Sequence, residues 1–336
     1  MSYSANCCIT KLDLSNQKLI QLPDLSSYTN LKILKCSNNK LTRLDNLPSS
    51  LEILDCSEND ILHLDNLPSS LIYLYCSRNN LTHLNNLPSS LEILDCSRNK
   101  LLHLDNLPSS LKILDCSING LIHLDNLPVG LKKLNCSSNK LTYLDNLPIN
   151  ITYVNCFSNQ IINLNNLPIH LNKLCCARNK LTQLEVLPPN LIYLSCSENE
   201  IIHLDTLPSN LIYLYCCTNK LTNLDNLPVG LKKLVCTGNK LTHLDNLPIN
   251  LRSLNCCSNK ITNLDNLPIN LLHVNCSGNK LTHLDNLPIN LKELDCSWNE
   301  LKHLDNLPMN LNKLDCSKNP NPTLVNMRKY KSFTVR

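Results

Sequence analysis

The sequence contains few glycine and aromatic residues for its length. Its 336 residues include five Gly, two Phe and one Trp, and only 17% of them are charged. This scarcity argues against a glycine-rich phosphate loop and favours a regular architecture over a mixed core filled with aromatic side chains. The net charge of +4 is small and spread along the chain, so charge by itself indicates neither a nucleic-acid nor an acidic partner.

Long hydrophobic runs are also lacking. No stretch approaches the roughly 18 consecutive apolar residues that a membrane helix requires. The N-terminal sequence MSYSANCCITKLDLSN has no basic region followed by an apolar run, as a signal peptide would. We therefore expect an intracellular, cytoplasmic protein that is neither secreted nor associated with a membrane. The twenty cysteines are then expected to be thiols in a reducing compartment, not a disulfide framework.

A 20-residue period runs without insertion from Leu31 to Pro320. Its consensus is LxxLxCSxNxLxxLDNLPxx, and fifteen copies fit, the last one incomplete. An earlier copy at residues 9–19 precedes the next by 22 residues. We interpret residues 1–30 as an N-terminal cap and first repeat, 31–320 as fifteen repeats, and 321–336 as a C-terminal cap, because stacked repeats need covers at their ends.

Each copy contains the pattern LxxLxLxxNxL, and the fourteenth shows it at Leu291, Leu294, Cys296, Asn299 and Leu301. This pattern resembles that of leucine-rich-repeat proteins over about nine tenths of the chain. The 20-residue unit with its Leu-Pro step is similar to bacterial leucine-rich-repeat effectors of the Yersinia and Shigella type. The Cys-Ser-x-Asn and Leu-Asp-Asn-Leu-Pro motifs resemble those of leucine-rich-repeat proteins from giant viruses such as mimivirus. The resemblance implies a leucine-rich repeat solenoid of about sixteen repeats.

The local pattern predicts the same shape. Alternation places Leu294 and Cys296 on one side of a short strand and Glu293, Asp295 and Ser297 on the other. The recurring proline excludes an uninterrupted helix in the return segment. We therefore expect a curved parallel β-sheet on the concave side and an extended or polyproline-like convex arc. The recurring asparagines from Asn39 to Asn319 are predicted to bridge backbone groups of adjacent repeats.

A cysteine and a histidine close in sequence, such as Cys296 and His303, suggest a metal site, but the repeat argues otherwise. Cysteine occupies a buried position and histidine an outward one, so both cannot bind one zinc ion. Neighbouring cysteines should project in parallel about 4.8 Å apart, too far for disulfides, so we predict free thiols. The histidines of four consecutive repeats, at positions 63, 83, 103 and 123, are interpreted as solvated surface, with metal binding as the alternative. We predict no metal and no cofactor.

The outward side of the strands is the candidate site. Its aromatic residues are predicted to bind a partner along the concave face: Tyr73, Tyr75, Tyr153, Tyr193, Tyr213, Tyr215 and Trp298. The alternative interpretation is that these aromatic side chains only pack against their neighbours on adjacent strands. No catalytic constellation is present, so the leading hypothesis is a non-catalytic scaffold for protein–protein interaction, with a partner from a host if the chain is viral, and no small-molecule substrate.

Two alternatives remain open. Lys133, Lys173 and Lys233 near tyrosines suggest nucleic-acid binding, although acidic residues on the same surface argue against it. The other alternative is a structural or virion-associated component without a dedicated partner.

Overall fold

The computed structural model describes residues 7–184, 186–304, 307–320 and the backbone of 323–324. Most of the predicted C-terminal cap, and Glu185 in a departure from the repeat, lie outside the described residues. The chain divides into two compact units, Met1–Leu171 and Asn172–Arg336. They are called the N-terminal half and the C-terminal half below, and each is described by itself.

In both halves, short strands recur once per repeat and pair in parallel with their neighbours in sequence. The N-terminal half has β1 (Lys11–Asp13), β2 (Ile33–Lys35), β3 (Ile53–Asp55), β4 (Tyr73–Tyr75), β5 (Ile93–Asp95), β6 (Ile113–Asp115), β7 (Lys133–Asn135) and β8 (Tyr153–Asn155). The C-terminal half has β9 (Lys173–Cys175), β10 (Tyr193–Ser195), β11 (Tyr213–Tyr215), β12 (Lys233–Val235), β13 (Ser253–Asn255), β14 (His273–Asn275), β15 (Glu293–Asp295) and, after the two-residue β16 (His303–Leu304), β17 (Lys313–Asp315). The short β16 pairs with β18 (Thr323–Leu324).

The register confirms the repeat assignment. Leu54 pairs with Leu74, twenty residues later, and Leu12 pairs with Leu34, across the predicted 22-residue step. The described residues contain no helix, and therefore none long and apolar enough to cross a bilayer. The fold is a parallel β-solenoid of the leucine-rich-repeat type, as predicted.

The strands that recur once per repeat are only three residues long and end before the buried cysteine. The cysteine nevertheless is buried, and Cys56 N donates to Tyr75 O at 2.8 Å. Its own carbonyl is used differently, because Cys56 O accepts side-chain hydrogen bonds from Asn59 at 3.1 Å and Asn79 at 3.0 Å. The backbone hydrogen bonds between strands thus end at the cysteine N–H, and from the cysteine carbonyl onward the repeats are joined by hydrogen bonds from asparagine side chains.

Each bridging asparagine side chain forms hydrogen bonds with backbone groups of its own repeat and of the preceding one. Asn59 Nδ2 donates to Cys36 O at 3.0 Å, in the preceding repeat, and Asn59 Oδ1 accepts from Leu41 N at 2.9 Å. The same pattern recurs at Asn79 and Asn299. The predicted bridging role is therefore confirmed, and it satisfies backbone groups that would otherwise be buried without partners.

Two positions adopt left-handed backbone conformation in most repeats. One is the asparagine of Asp-Asn-Leu-Pro, for example Asn106 at φ 55°, where asparagine is among the few residues that tolerate this region. At the equivalent place, Thr206 replaces the asparagine and does not adopt positive φ, so the turn differs in that repeat. The other is the residue before the bridging asparagine, including the β-branched Ile118 at φ 54°. A turn then leads into the next repeat, with Leu51 N donating to Pro48 O at 3.1 Å.

The core consists of stacked leucines and cysteines. Leu294, Cys296, Leu301 and Leu304 are all within 1% of full burial, which confirms the inward positions of the repeat. The prediction was wrong for Ser297, which lies on the side of Asp295 but is only 6% exposed. Its hydroxyl donates to Asp295 Oδ1 at 2.7 Å, so the serine is covered by the side chain that it binds.

Candidate functional site

The third and fifth residues of each repeat, which begin and end its strand, point away from the buried leucine between them. We call this surface the strand face. In the N-terminal half, its third positions form an apolar row of half-buried side chains in register: Ile33, Ile53, Tyr73, Ile93 and Ile113. Half-buried neighbours in register are what cross-strand packing, the alternative interpretation of the sequence, predicts.

The fifth positions of the same strands are acidic in β3, β5 and β6, and are Lys35 in β2 and Tyr75 in β4. Tyr75 lies in register between Asp55 and Asp95, and Asp95 pairs with Asp115. Asp95 Oδ1 accepts from Ser97 N at 3.0 Å, and Asp115 Oδ1 accepts from Ser117 N at 3.0 Å. These backbone bonds fix the carboxylates in place although like charges stand side by side.

In the C-terminal half, three tyrosines form one group, which we call the tyrosine cluster: Tyr193, Tyr213 and Tyr215. The ring centroid of Tyr193 lies 6.4 Å from that of Tyr213 and 5.4 Å from that of Tyr215, with the planes tilted. Lys233 Nζ lies 5.4 Å from the Tyr215 centroid, in cation–π geometry. Beneath the rings Ser195 is 8% exposed, whereas Tyr213 keeps 39% of its surface in solvent.

Charge on the strand face differs between groups of strands. Around the tyrosine cluster the third and fifth positions of β9 to β13 carry Lys173 and Lys233 and no acidic residue. Aspartates occupy the face in β3, β5 and β6 and again in β15 and β17. The sequence argument that acidic residues share the surface with the lysines therefore does not apply within β9 to β13.

The other two predicted aromatic residues stand apart from these groups. Tyr153 lies on β8, in register with Lys133. Trp298 is not on a strand: it occupies the left-handed turn position after β15, at φ 54° and 64% exposed, with Lys318 Nζ 5.6 Å from its ring centroid. The structure therefore brings Tyr193, Tyr213 and Tyr215 together and leaves Trp298 on a separate turn.

The cysteine and histidine positions do not converge. Cys296 is fully buried and His303 is exposed, and the described residues contain no group of three or more potential metal ligands. None of the twenty cysteines, all of which lie within the described residues, forms a disulfide bond. Burial raises the pKa of the Cys36 and Cys136 thiols to about 12, so these sulfurs are protonated and unreactive at neutral pH.

The histidines of successive repeats do stand near one another, as predicted. The rings of His63 and His83 have centroids 4.7 Å apart, and His103 Nδ1 lies 3.2 Å from His123 Nε2. His123 Nδ1 is also 3.4 Å from Asp125 Oδ2. The four rings thus form two contacting pairs on the surface of the N-terminal half.

Sequence reasoning missed a second exposed feature. The residue after each Leu-Pro is aliphatic in five successive repeats of the C-terminal half, and we call these residues the aliphatic edge: Val229, Ile249, Ile269, Ile289 and Met309. They are exposed by 71%, 53%, 55%, 64% and 71%, respectively. The aliphatic residues are visible in the sequence. The repeat consensus, however, leaves the position after proline undefined, so it predicts neither burial nor exposure for these side chains.

The fold described above is shared with solved structures of known proteins. No protein-family model matches the chain, and no curated protein matches it. Among solved structures, YopM from Yersinia enterocolitica WA-314 is 36% identical with a TM-score of 0.89, over 98% of this chain and 78% of that one. The chain belongs to the YopM family of leucine-rich-repeat proteins.

Two further structures extend the comparison. YopM from Yersinia pestis, described as a leucine-rich effector protein, is 32% identical with a TM-score of 0.61, over 92% of this chain and 78% of that one. The functional domain of InlJ from Listeria monocytogenes, described as including a cysteine ladder, is 26% identical with a TM-score of 0.68, over 93% of this chain and 74% of that one. The YopM-like chain is therefore a repeat scaffold of the kind found in bacterial effectors.

Proposed function

We propose that this chain is a non-catalytic scaffold that binds another protein along its strand face, the face that the leucine-rich-repeat resemblance makes concave. The observation that carries the proposal is the tyrosine cluster. Three aromatic rings contact one another on a sheet surface, Lys233 stands over one of them, and Tyr213 still exposes 39% of its surface. Tyrosine anchors of this kind are enriched in the energetic centres of protein interfaces.

Rigidity supports the same function. Each tyrosine stands on a strand held on both sides by parallel pairing, so its backbone loses little further freedom when a partner docks. Binding to a preorganised surface has a smaller entropic cost than binding to a mobile loop. The apolar row of Ile53, Tyr73 and Ile93 offers a second preorganised patch in the N-terminal half.

A cytoplasmic location is part of the proposal. It rests on the buried thiols, which stay reduced in that compartment. The same proposal includes a host protein as the partner. That part depends on the resemblance of the repeat motifs to those of giant-virus proteins.

The test is quantitative affinity capture from cells that naturally contain the chain, comparing the native protein with Tyr213→Ala/Tyr215→Ala. The matched control is Tyr143→Ala, because Tyr143 is also 39% exposed but lies outside the strands. We expect the double variant to lose its main protein partner at least tenfold while the control retains it. Equal recovery by both variants would refute the tyrosine cluster as the binding site.

Nucleic-acid binding is the second candidate. It is favoured by Lys173 and Lys233 on a stretch of the strand face without acidic residues, where tyrosine rings could stack on bases. Binding to single-stranded oligonucleotides would then weaken steeply with added salt, because phosphate contacts release counterions. Retention of the partner at 0.5 M salt, after nuclease treatment, would favour the protein interface instead.

A further inference from the structure

The aliphatic edge has no partner within its own half. Its five residues expose between 53% and 71% of their surface and recur in successive repeats at the spacing of parallel strands, about 4.8 Å. Single exposed aliphatic residues are ordinary, whereas a contiguous row of them marks an interaction surface. The row is separate from the strand face, because each of its residues follows the proline that recurs in every repeat and precedes the strand by several residues.

The backbone beneath the row is fixed by asparagine side chains. Asn250 Nδ2 donates to Val229 O at 3.1 Å, Asn270 Nδ2 to Ile249 O at 2.9 Å and Asn310 Nδ2 to Ile289 O at 3.3 Å. Each bond ties the carbonyl of an edge residue to the next repeat. The aliphatic side chains therefore project from a cross-linked backbone and not from a loose loop.

Cations stand beside the row. A recess of about 590 Å³ is lined by residues of four successive repeats, and these include Arg252, Leu272, Lys292 and Met309. Arg252, Lys292 and the equivalent Lys232 are exposed and form no ion pair within the part of the chain that the structure describes. A ligand of this edge therefore meets aliphatic side chains and unpaired positive charge together.

The N-terminal half shows that neither property is required by the fold. Its early repeats carry serine at the edge position, as Ser49 and Ser69, and the position of Arg252 is taken by Glu52 and Glu92. There the charges are paired, with Lys32 Nζ 2.7 Å from Glu52 Oε1. The same backbone is thus built with a polar, neutralised edge in the early repeats and an apolar edge in later ones. Three successive repeats of the N-terminal half also expose aliphatic residues at this position, Val129, Ile149 and Ile169, and the five-residue row of the C-terminal half is the longer one.

We propose that the aliphatic edge of the C-terminal half binds an amphipathic helix of a partner protein, with aliphatic residues on one stripe and acidic residues along one flank. Helix turns repeat every 5.4 Å, close to the spacing of the row, and side chains on one side of an extended segment repeat about every 6.7 Å, which does not match. The acidic flank pairs with Arg252 and Lys292. A second copy of the chain would bring cations toward cations, and a flat bilayer would leave the recess unfilled.

This surface is independent of the tyrosine cluster, so the two proposals fail separately. The probe is a display library of 18-residue alanine-based helices in which each variable position is Leu, Glu, Lys or Ala. Selection is performed on the full chain and on Ile249→Ser/Ile269→Ser/Ile289→Ser, which restores the serine of the early repeats and is therefore compatible with the fold. The matched control is Leu62→Ser/Leu102→Ser/Ile122→Ser, which removes three aliphatic residues of similar exposure, 49%, 54% and 47%.

We expect enriched peptides to carry Leu at i, i+3 or i+4, i+7 and i+11 with Glu on one flank. Their affinity should fall at least tenfold for the edge variant and remain unchanged for the control. Arg252→Glu/Lys292→Glu should reverse the preference to a Lys flank. Peptides that bind the edge variant equally well, or that carry no flank preference, would overturn the proposal. Edge-dependent sedimentation with phosphatidylglycerol vesicles, or edge-dependent dimerisation in ultracentrifugation, would overturn it in favour of those occupants.

Discussion

Asn159 Nδ2 lies 3.1 Å from the carbonyl oxygen of Cys136, in the preceding repeat. The same amide donates to Cys156 O at 3.1 Å, and Asn159 Oδ1 accepts from Leu141 N at 3.0 Å. One side chain therefore supplies the hydrogen-bond partners of two turns.

Asn159→Leu is expected to destabilise the protein by about 3 kcal/mol or more, because it leaves a backbone donor and carbonyl acceptors without partners in the interior. The measurement is the midpoint of urea unfolding. Asn163→Leu is the matched control, since Asn163 is exposed and should change the midpoint little. A midpoint unaffected by Asn159→Leu would contradict the bridging role.

Ile118→Asn is expected to stabilise the protein by up to about 1 kcal/mol. Ile118 is β-branched, adopts φ 54° and is 39% exposed, and asparagine occupies left-handed backbone at lower cost. Thermal unfolding measures the change. Ile122→Asn, at an exposed site without positive φ, should be neutral or slightly destabilising. A lower melting temperature for Ile118→Asn would show that its side-chain contacts outweigh the backbone strain.

Alkaline pH is expected to destabilise the fold through the buried thiols. Burial raises the pKa of Cys136 from 9.0 to about 12. Between those values the unfolded state loses a proton that the folded state retains, so the contribution is complete below pH 9 and disappears as the pH rises toward 12. Each such thiol adds a slope of about 1.4 kcal/mol per pH unit. Unfolding midpoints from pH 7 to 11 should fall less steeply in Cys136→Val, and identical profiles would exclude this origin.

All twenty cysteines are expected to be free. Alkylation in denaturant without reductant, followed by mass spectrometry, should label every one. Alkylation of the folded protein should first modify the exposed Cys8 and spare buried Cys56, because a buried thiol with a raised pKa is neither accessible nor ionised. Recovery of linked pairs from the repeats would contradict the prediction.

The 20-residue period was enough to predict the strands, the buried leucines and cysteines, and the asparagine bridges, because each depends on contacts repeated identically in every copy. It was not enough for features that differ between copies. Trp298 lies on a turn because it directly precedes the bridging Asn299, whereas alternation along a strand describes only the preceding residues. The difference in charge between Asp95 in one half and Lys233 in the other becomes visible only when neighbouring strands are placed side by side.

The asparagine bridge also bears on how such a gene can change. Because Asn59 completes the repeat before it in the same way that Asn79 does, removing all twenty intervening residues would join two surfaces that already fit each other. Insertions or deletions of whole repeats therefore conserve the internal contacts. The first step, which is 22 residues long, keeps the same bridge, with Asn39 Nδ2 donating to Leu14 O at 2.9 Å and Asn39 Oδ1 accepting from Leu19 N at 2.9 Å. Variation in size by steps of twenty residues is the evolutionary freedom that this hydrogen bond permits.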